Sequence, residues 1–229
     1  MVGIVFRMES QPSLRERKKQ QTRLRISEAA TALFIARGFD EVSVAEVAEA
    51  AEVSKMTVFN YFPRKEELLL DRVPEAIELV TTAIRGRAPG RSPLDALHAL
   101  VLDLAERRHP LSGIGDTMPA FWRTVLDSPA LRAYAREALE QLEDHLARLI
   151  AEEPGRLPGE EEARFAAALG MTACRTVFTA TARRILAGEP ADAVAADHRA
   201  FTDRVFAAVA RAFAEFAEPA EPSAGPQES

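Results

Sequence analysis

Residues 43–62, SVAEVAEAAEVSKMTVFNYF, limit what this 229-residue chain can fold into more tightly than any other stretch. Ser43 can cap a helix that runs to Ala50, because its hydroxyl can accept a bond from one of the first free backbone N–H groups. Val44, Val47 and Ala48 follow at the i, i+3, i+4 spacing of a single buried face. Ala51, Glu52 and Val53 then form a tight turn, with Val53 as the apolar plug between two helices. Ser54 caps the second helix, predicted from about Lys55 to Asn60. Val58 faces inward there, and Lys55, Met56, Thr57, Asn60 and Tyr61 are left to point out. A short helix displaying these groups carries donors and a methyl for base edges, and hydroxyl and charge for phosphates. This is the pattern of a helix-turn-helix, whose second helix enters the major groove of DNA. An ordinary helical hairpin with a solvated polar face would share it, so the flanking residues must separate the two readings.

They do so in concert. Thr22-Arg23-Leu24-Arg25-Ile26 leads to Ala29-Ala30 and Leu33-Phe34, and then to Arg37-Gly38-Phe39. Ser43-Val44, Val47-Ala48 and Ala51-x-Val53-Ser54 follow, and Phe59-x-Tyr61-Phe62 and Lys65-Glu66-x-Leu68 complete the set. From near Gln20 to about Leu70 the chain resembles the TetR-type (TetR/AcrR) bacterial transcriptional regulators. It departs from that pattern at Glu52 and Met56, where the family usually or often has glycine, and at Phe59, where tyrosine is commoner. Those departures bear on the turn geometry and on which bases are read. The expected DNA-contacting residues are Arg25, Ser43, Val44, Ser54, Lys55, Met56, Thr57, Asn60, Tyr61 and Lys65. In the resemblance, the lysine matching Lys65 contacts a phosphate.

Composition bounds the remainder. The length fits one large or two small domains. A single cysteine, Cys174, excludes an internal disulfide framework and suits a reducing compartment. No apolar run approaches the ~20 residues of a membrane span, and the opening 1–6 is too short for a signal-peptide core. A cytoplasmic protein is expected, starting functionally at Met1 or Met8. The net charge of −6 argues against indiscriminate coating of nucleic acid, but its distribution is uneven. Residues 1–72 hold 12 Lys/Arg against 11 Asp/Glu, and the remainder 17 against 24. Arg15, Arg17, Lys18, Lys19, Arg23 and Arg25 cluster with only Glu16 against them. A local basic patch on an acidic chain suits targeted duplex contact. A solvated arm that orders on phosphates suits the same residues.

Taken in order, residues 1–13 read as a disordered start and Leu14 to Arg37 as a long helix, with Gly38 as its stop. The helix after Pro63 is expected to reach Arg85, bent or split at Pro74. Further helices are expected over about 93–108 and 129–152, with a short apolar piece at 118–126 between them. The last two long helices, 160–187 and about 192–216, are rich in small residues and apolar on more than one side, so each needs more than one burial partner. Residues 218–229 read as a disordered tail. The fold class is all-α: a three-helix DNA-binding domain over 14–70, with its hairpin at 43–62, and a larger ligand-binding and dimerisation domain over 71–217.

The resemblance implies a homodimer through the last two helices. The expected interface residues are Phe165, Leu169, Ala173, Val177, Phe201, Val205, Ala208 and Ala212. It also implies a small-molecule cavity, for which Leu104, Met118, Phe121, Trp122, Tyr134, Met171, Cys174, Arg175 and Phe178 are the candidates, although most of the aromatics serve equally as core. Arg175, if buried, would demand an anionic partner such as Glu137, Asp144 or a ligand carboxylate. The four histidines lack i, i+3 or i, i+4 histidine partners and there is no Cys-x-x-Cys, so no metal or cofactor site is expected. No catalytic constellation is present. The expected function is a DNA-binding regulator, a homodimeric repressor released from a near-palindromic double-stranded operator by an unknown small-molecule effector. A ligand-independent regulator or an activator is the alternative, and no membrane partner is expected.

Overall fold

The computed structural model describes residues 13–152 and 159–217. The predicted tail, most of the predicted disordered start and most of the loop before Gly159 lie outside the described residues. All regular structure among the described residues is helical: α1 (Leu14–Arg37), α2 (Val44–Ala50), α3 (Lys55–Tyr61), α4 (Val73–Arg85), α5 (Pro93–Glu106), α6 (Met118–Asp127), α7 (Pro129–Ala151), α8 (Glu160–Leu186) and α9 (Ala191–Ala217). Short 3-10 turns occupy Lys65–Leu68 and Pro110–Ser112. The chain divides into two compact units, Met1–Asp71 and Arg72–Ser229.

Local chemistry sets most helix ends. α1 opens on a reciprocal box in which Ser13 Oγ accepts from Glu16 N and Glu16 Oε2 accepts from Ser13 N. The basic cluster from Arg15 to Arg25 is therefore helical here rather than an unstructured arm. Ser43 with Glu46, and Ser92 with Asp95, repeat the box at α2 and α5. Gly38 ends α1 at φ +90°, ψ 148°, a conformation open essentially to glycine alone.

In the first unit, Ile26, Ala30 and Phe34 of α1 meet Val47 and Ala48 of α2, Val58 of α3, and Phe39, Val42, Phe62 and Leu68 from the connections, all buried. The Phe34 and Phe39 rings lie 4.9 Å apart at 58°. Between α3 and α4 the expected long helix is absent. The chain makes one 3-10 turn, and α4 begins afresh at Val73 with Pro74 in its first turn. A proline there has no helical N–H bond to lose, so it starts the helix instead of bending it.

In the second unit, α8 packs along α7 and α9, and α9 along α5. One core joins Val80, Ile84, Leu97, Leu146, Ile150, Ala167, Met171 and Phe206. A second joins Ala105, Ile114, Trp122, Ala182, Ile185 and Val194. Gly170 allows the close approach of α8 to its neighbours: a Cβ there would stand 2.9 Å from Leu97 Cδ2 and 3.1 Å from Leu94 Cδ2.

Candidate nucleic-acid interface

The hairpin of α2 and α3 carries the surface of interest. α2 ends in a Schellman motif: Val53 N donates to Ala48 O at 2.9 Å and Glu52 N to Glu49 O at 3.0 Å. That closure needs a left-handed residue at Glu52, which sits at φ +52°. Ser54 then caps α3, its Oγ accepting from Thr57 N at 3.0 Å and lying 2.8 Å from Thr57 Oγ1. Val58 and Phe62 are buried beneath the helix and fix which side faces out. The exposed side is the row Lys55, Met56, Phe59 and Asn60, with Met56 at 69% and Phe59 at 40% exposure. Lys55 Nζ stands 5.9 Å from the Phe59 ring centroid. Thr57 and Tyr61 are half-buried at the edges of the row, and Ser43, Ser54 and Arg25 are exposed while Val44 is half-buried. Phe59 is missing from the predicted contacts. Its signal was its spacing from Lys55 and Met56 around the helix, opposite Val58.

Two cations are tied inward: Lys65 of the predicted contacts and Arg23 of the basic cluster. Lys65 Nζ donates to the Phe39 carbonyl at 2.6 Å and lies 4.3 Å from the Phe39 ring centroid. Burial lowers its pKa, while Asp40 and Glu66 oppose that shift. An ammonium has three donors, and the Phe39 carbonyl takes one. Arg23 spans two carbonyls, those of Tyr61 and Asp71, each at 3.1 Å. Arg25 remains exposed. Behind α2, Arg37 pairs with Glu46 at 2.8 Å. Hydrogen bonds from the Ser43 backbone and hydroxyl, aided by Arg37, hold the Glu46 carboxyl down at about 2. Glu46 therefore stays charged at neutral pH.

Residues 26–71 match the family model for bacterial regulatory proteins of the tetR family. Over those residues the chain is similar to the TetR family. The HTH-type transcriptional regulator TcmR of Streptomyces glaucescens is 34% identical over 147 residues, 63% of this chain and 65% of that protein. The repressor KstR of Rhodococcus jostii is 33% identical over 96 residues, 41% of this chain and 44% of its own length. The chain thus spans from under half to just under two thirds of these relatives. NalD of Pseudomonas aeruginosa, the secondary repressor of the MexAB-OprM efflux pump, shares the fold at a TM-score of 0.54 and 19% identity, over 82% of this chain and 96% of that one.

The predicted cavity residues do not form one group. Met118, Phe121, Trp122 and Phe178 do meet. The Trp122 ring lies 4.6 Å from Phe178 and 5.5 Å from Phe121, and Met118 packs on the same core. Met171 and Cys174 belong to the other core, and burial pushes the Cys174 thiol up to about 12. Leu104 is buried on α5 and Tyr134 half-buried on α7. Arg175 is exposed and needs no buried anion, and Asp144 faces Arg164 instead. An open groove of about 450 Å³ lies elsewhere, between α4 and α5, floored by Leu79, Ala83, Ala96 and Leu100.

Sequence reasoning missed His198 and Thr202. His198 Nδ1 pairs with Thr181 Oγ1 at 3.3 Å, and burial lowers the imidazole pKa. His198 Nε2, Thr202 Oγ1 and Trp122 Nε1 are buried with no hydrogen-bond partner. None of them is marked by spacing, because each depends on how α6, α8 and α9 pack.

Of the predicted interface residues, Phe165, Leu169, Phe201 and Val205 are half-buried, and Ala208 and Ala212 are exposed. Ala173 and Val177 are enclosed by their own protomer, at 0% and 1% exposure, which takes them off any partner surface. Phe216, on the same lane of α9 as Ala212 but outside the expected interface set, stands 49% exposed with its ring 4.3 Å from Phe165.

Proposed function

We propose that this chain is a homodimeric transcriptional repressor that binds a near-palindromic operator in double-stranded DNA and is released by a small-molecule effector. The observation that carries the reading is the capped α3 helix, with Lys55, Met56, Phe59 and Asn60 exposed in one row above buried Val58. Lys55 and Asn60 supply donors for base edges or phosphates, and Met56 and Phe59 supply apolar contact for thymine methyl groups. Two such helices in a dimer would read half-sites about 34–36 Å apart. Arg25, Ser43, Val44, Ser54, Thr57, Tyr61 and Lys65 complete the proposed contact surface. The test is selection from a pool of random duplexes: an enriched sequence with two-fold symmetry is expected, and an unenriched pool would remove the reading.

The proposed effector reading draws support from the second unit. Trp122 packs on Phe178, Thr181 one turn along α8 holds His198, and Thr202 follows one turn along α9. Each buried polar atom left without a partner costs about 1–3 kcal/mol. A neutral molecule with an apolar body and hydrogen-bonding oxygens would satisfy them. Trp122 is the only tryptophan in the chain, so its emission reports the site. An effector should change that emission and weaken operator binding, and DNA must weaken effector binding by the same factor. A compound that releases DNA with Trp122 emission unchanged would place the effector elsewhere. Repression unaffected by any compound would favour a ligand-independent regulator.

A further inference from the structure

The chain leaves the first unit at Asp71, and one side chain ties that exit to the recognition helix. Arg23 of α1 donates from Nη1 to the carbonyl of Tyr61, the last residue of α3, and from Nη2 to the carbonyl of Asp71, both at 3.1 Å. Its guanidinium carbon stands over the Phe62 ring, 4.3 Å from the centroid. One turn along α1, Ser27 Oγ donates to Asp71 Oδ2 at 2.8 Å. The Tyr61 carbonyl is among those that a helix end leaves without an internal partner, so Arg23 supplies the C-terminal anchor of α3. Asp71 is gripped twice, by backbone and by side chain, immediately before the chain continues into α4 at Val73.

We propose that Arg23 is a positioning residue that locks the pose of the recognition helix to the chain's exit at Asp71, so that displacement of the chain beyond Asp71 is felt at α3. The proposal rests on the DNA-binding reading above for its consequence, but its geometry lies wholly within Met1–Asp71. The two terminal nitrogens each bond a carbonyl, ten residues apart, so Arg23 is held at the exit of α3, unlike exposed Arg25. Only a planar, forked and stacking cation can hold both carbonyls while lying on Phe62. Lysine keeps the charge but offers a single nitrogen.

The experiment uses the full chain and Arg23→Lys. Hydrogen exchange is read without DNA or effector. Amides of 60–62 and 64, and of 71–73, are expected to exchange about tenfold faster together, while those of 26–37 and 44–50 stay within about twofold of wild type. On duplexes selected by the wild type, preference over random duplex is expected to fall about tenfold, with affinity for random duplex held within about twofold because the charge is unchanged. Exchange that rises across the whole first unit, or preference that does not change, overturns the proposal. If the wild type selects no duplex, the repressor reading fails, and the exchange arm still decides the role of Arg23. Ser27→Ala perturbs the other end of the tie and keeps the test open should Arg23→Lys not fold. Faster exchange at 71–73 must then carry 60–62 and 64 with it by threefold or more, and a rise confined to 71–73 overturns the coupling.

Discussion

Glu52 occupies the one left-handed position of the hairpin turn, at φ +52°, where its Cβ crowds its own backbone. The hydrogen bonds of the Schellman motif hold it there. Glu52→Gly relieves that crowding and should stabilise the protein by about 0.5–1 kcal/mol in denaturant unfolding, whereas Glu52→Ala, which keeps the Cβ, should give no such gain. The absence of the family's glycine was visible in the sequence. That the turn keeps its left-handed closure without glycine was not, because it depends on the flanking hydrogen bonds. Glu46 shows a different kind of legibility. Its spacing from Ser43 marks a capping box, but its third partner, Arg37, comes from another helix. Its folded pKa of about 2 lies below the ordinary 4.5, so its contribution is fully present above pH 4.5 and disappears as the pH falls through about 2. Carboxyl titration by NMR should place the Glu46 midpoint near 2, and Arg37→Gln or Ser43→Ala should raise it. A midpoint near 4.5 in the wild type would mean the box is not formed in solution.

At the scale of the element, α3 separates residues turned outward, which are proposed to read DNA, from residues that hold the unit together. Asn60 is exposed on the outward row, and Lys65 anchors the Phe39 loop through a carbonyl and a ring. Asn60→Ala should leave unfolding stability within about 0.5 kcal/mol and change which duplexes are selected. Lys65→Ala should cost about 1–2 kcal/mol of stability through the lost hydrogen bond and cation–π contact. If its remaining donors also meet a phosphate, it should weaken binding to every sequence and flatten the salt dependence. Equal affinity and unchanged preference in Asn60→Ala would take the outward row out of base recognition. The helices α1 to α3 were legible because caps, glycine stops and the i, i+3, i+4 pattern act within a few residues. Of the two outcomes expected at Pro74, bend or split, the structure shows the split; the sequence left the choice open because one proline serves either to bend a helix or to open one, and the 3-10 turn before it decides. Arg23, His198 and Thr202 carry no local signal at all, since their roles arise from residues 17 to 48 positions away or from packing alone.

For the whole molecule, the decisive question is whether and how two copies meet, because the proposed near-palindromic operator would require two reading heads. α8 and α9 are apolar on more than one side, and their inward sides are accounted for by Ala163, Ala167, Ala173, Val177 and Phe206 in the protomer's own core. Phe165, Ala208, Ala212 and Phe216 remain toward solvent, with the rings of Phe165 and Phe216 in contact and Phe213 6.4 Å from Phe165. Aromatic anchors of this kind carry a large share of association energy, commonly 2 kcal/mol or more each. Native mass spectrometry and sedimentation should therefore find twice the 25.1 kDa chain mass at micromolar concentration. Phe165→Asp with Phe216→Asp should shift the species to monomer by raising the dissociation constant ~30-fold or more, while helical content and unfolding stability per chain stay close to wild type. Because the second half-site is engaged at high effective concentration only in the dimer, the same variant should lose most of its affinity for a two-half-site duplex but keep that for a single half-site. A double variant that stays dimeric would move the interface off this face of α8 and α9. A wild type that is monomeric would remove the two-half-site mechanism altogether, even with the reading surface of α3 intact.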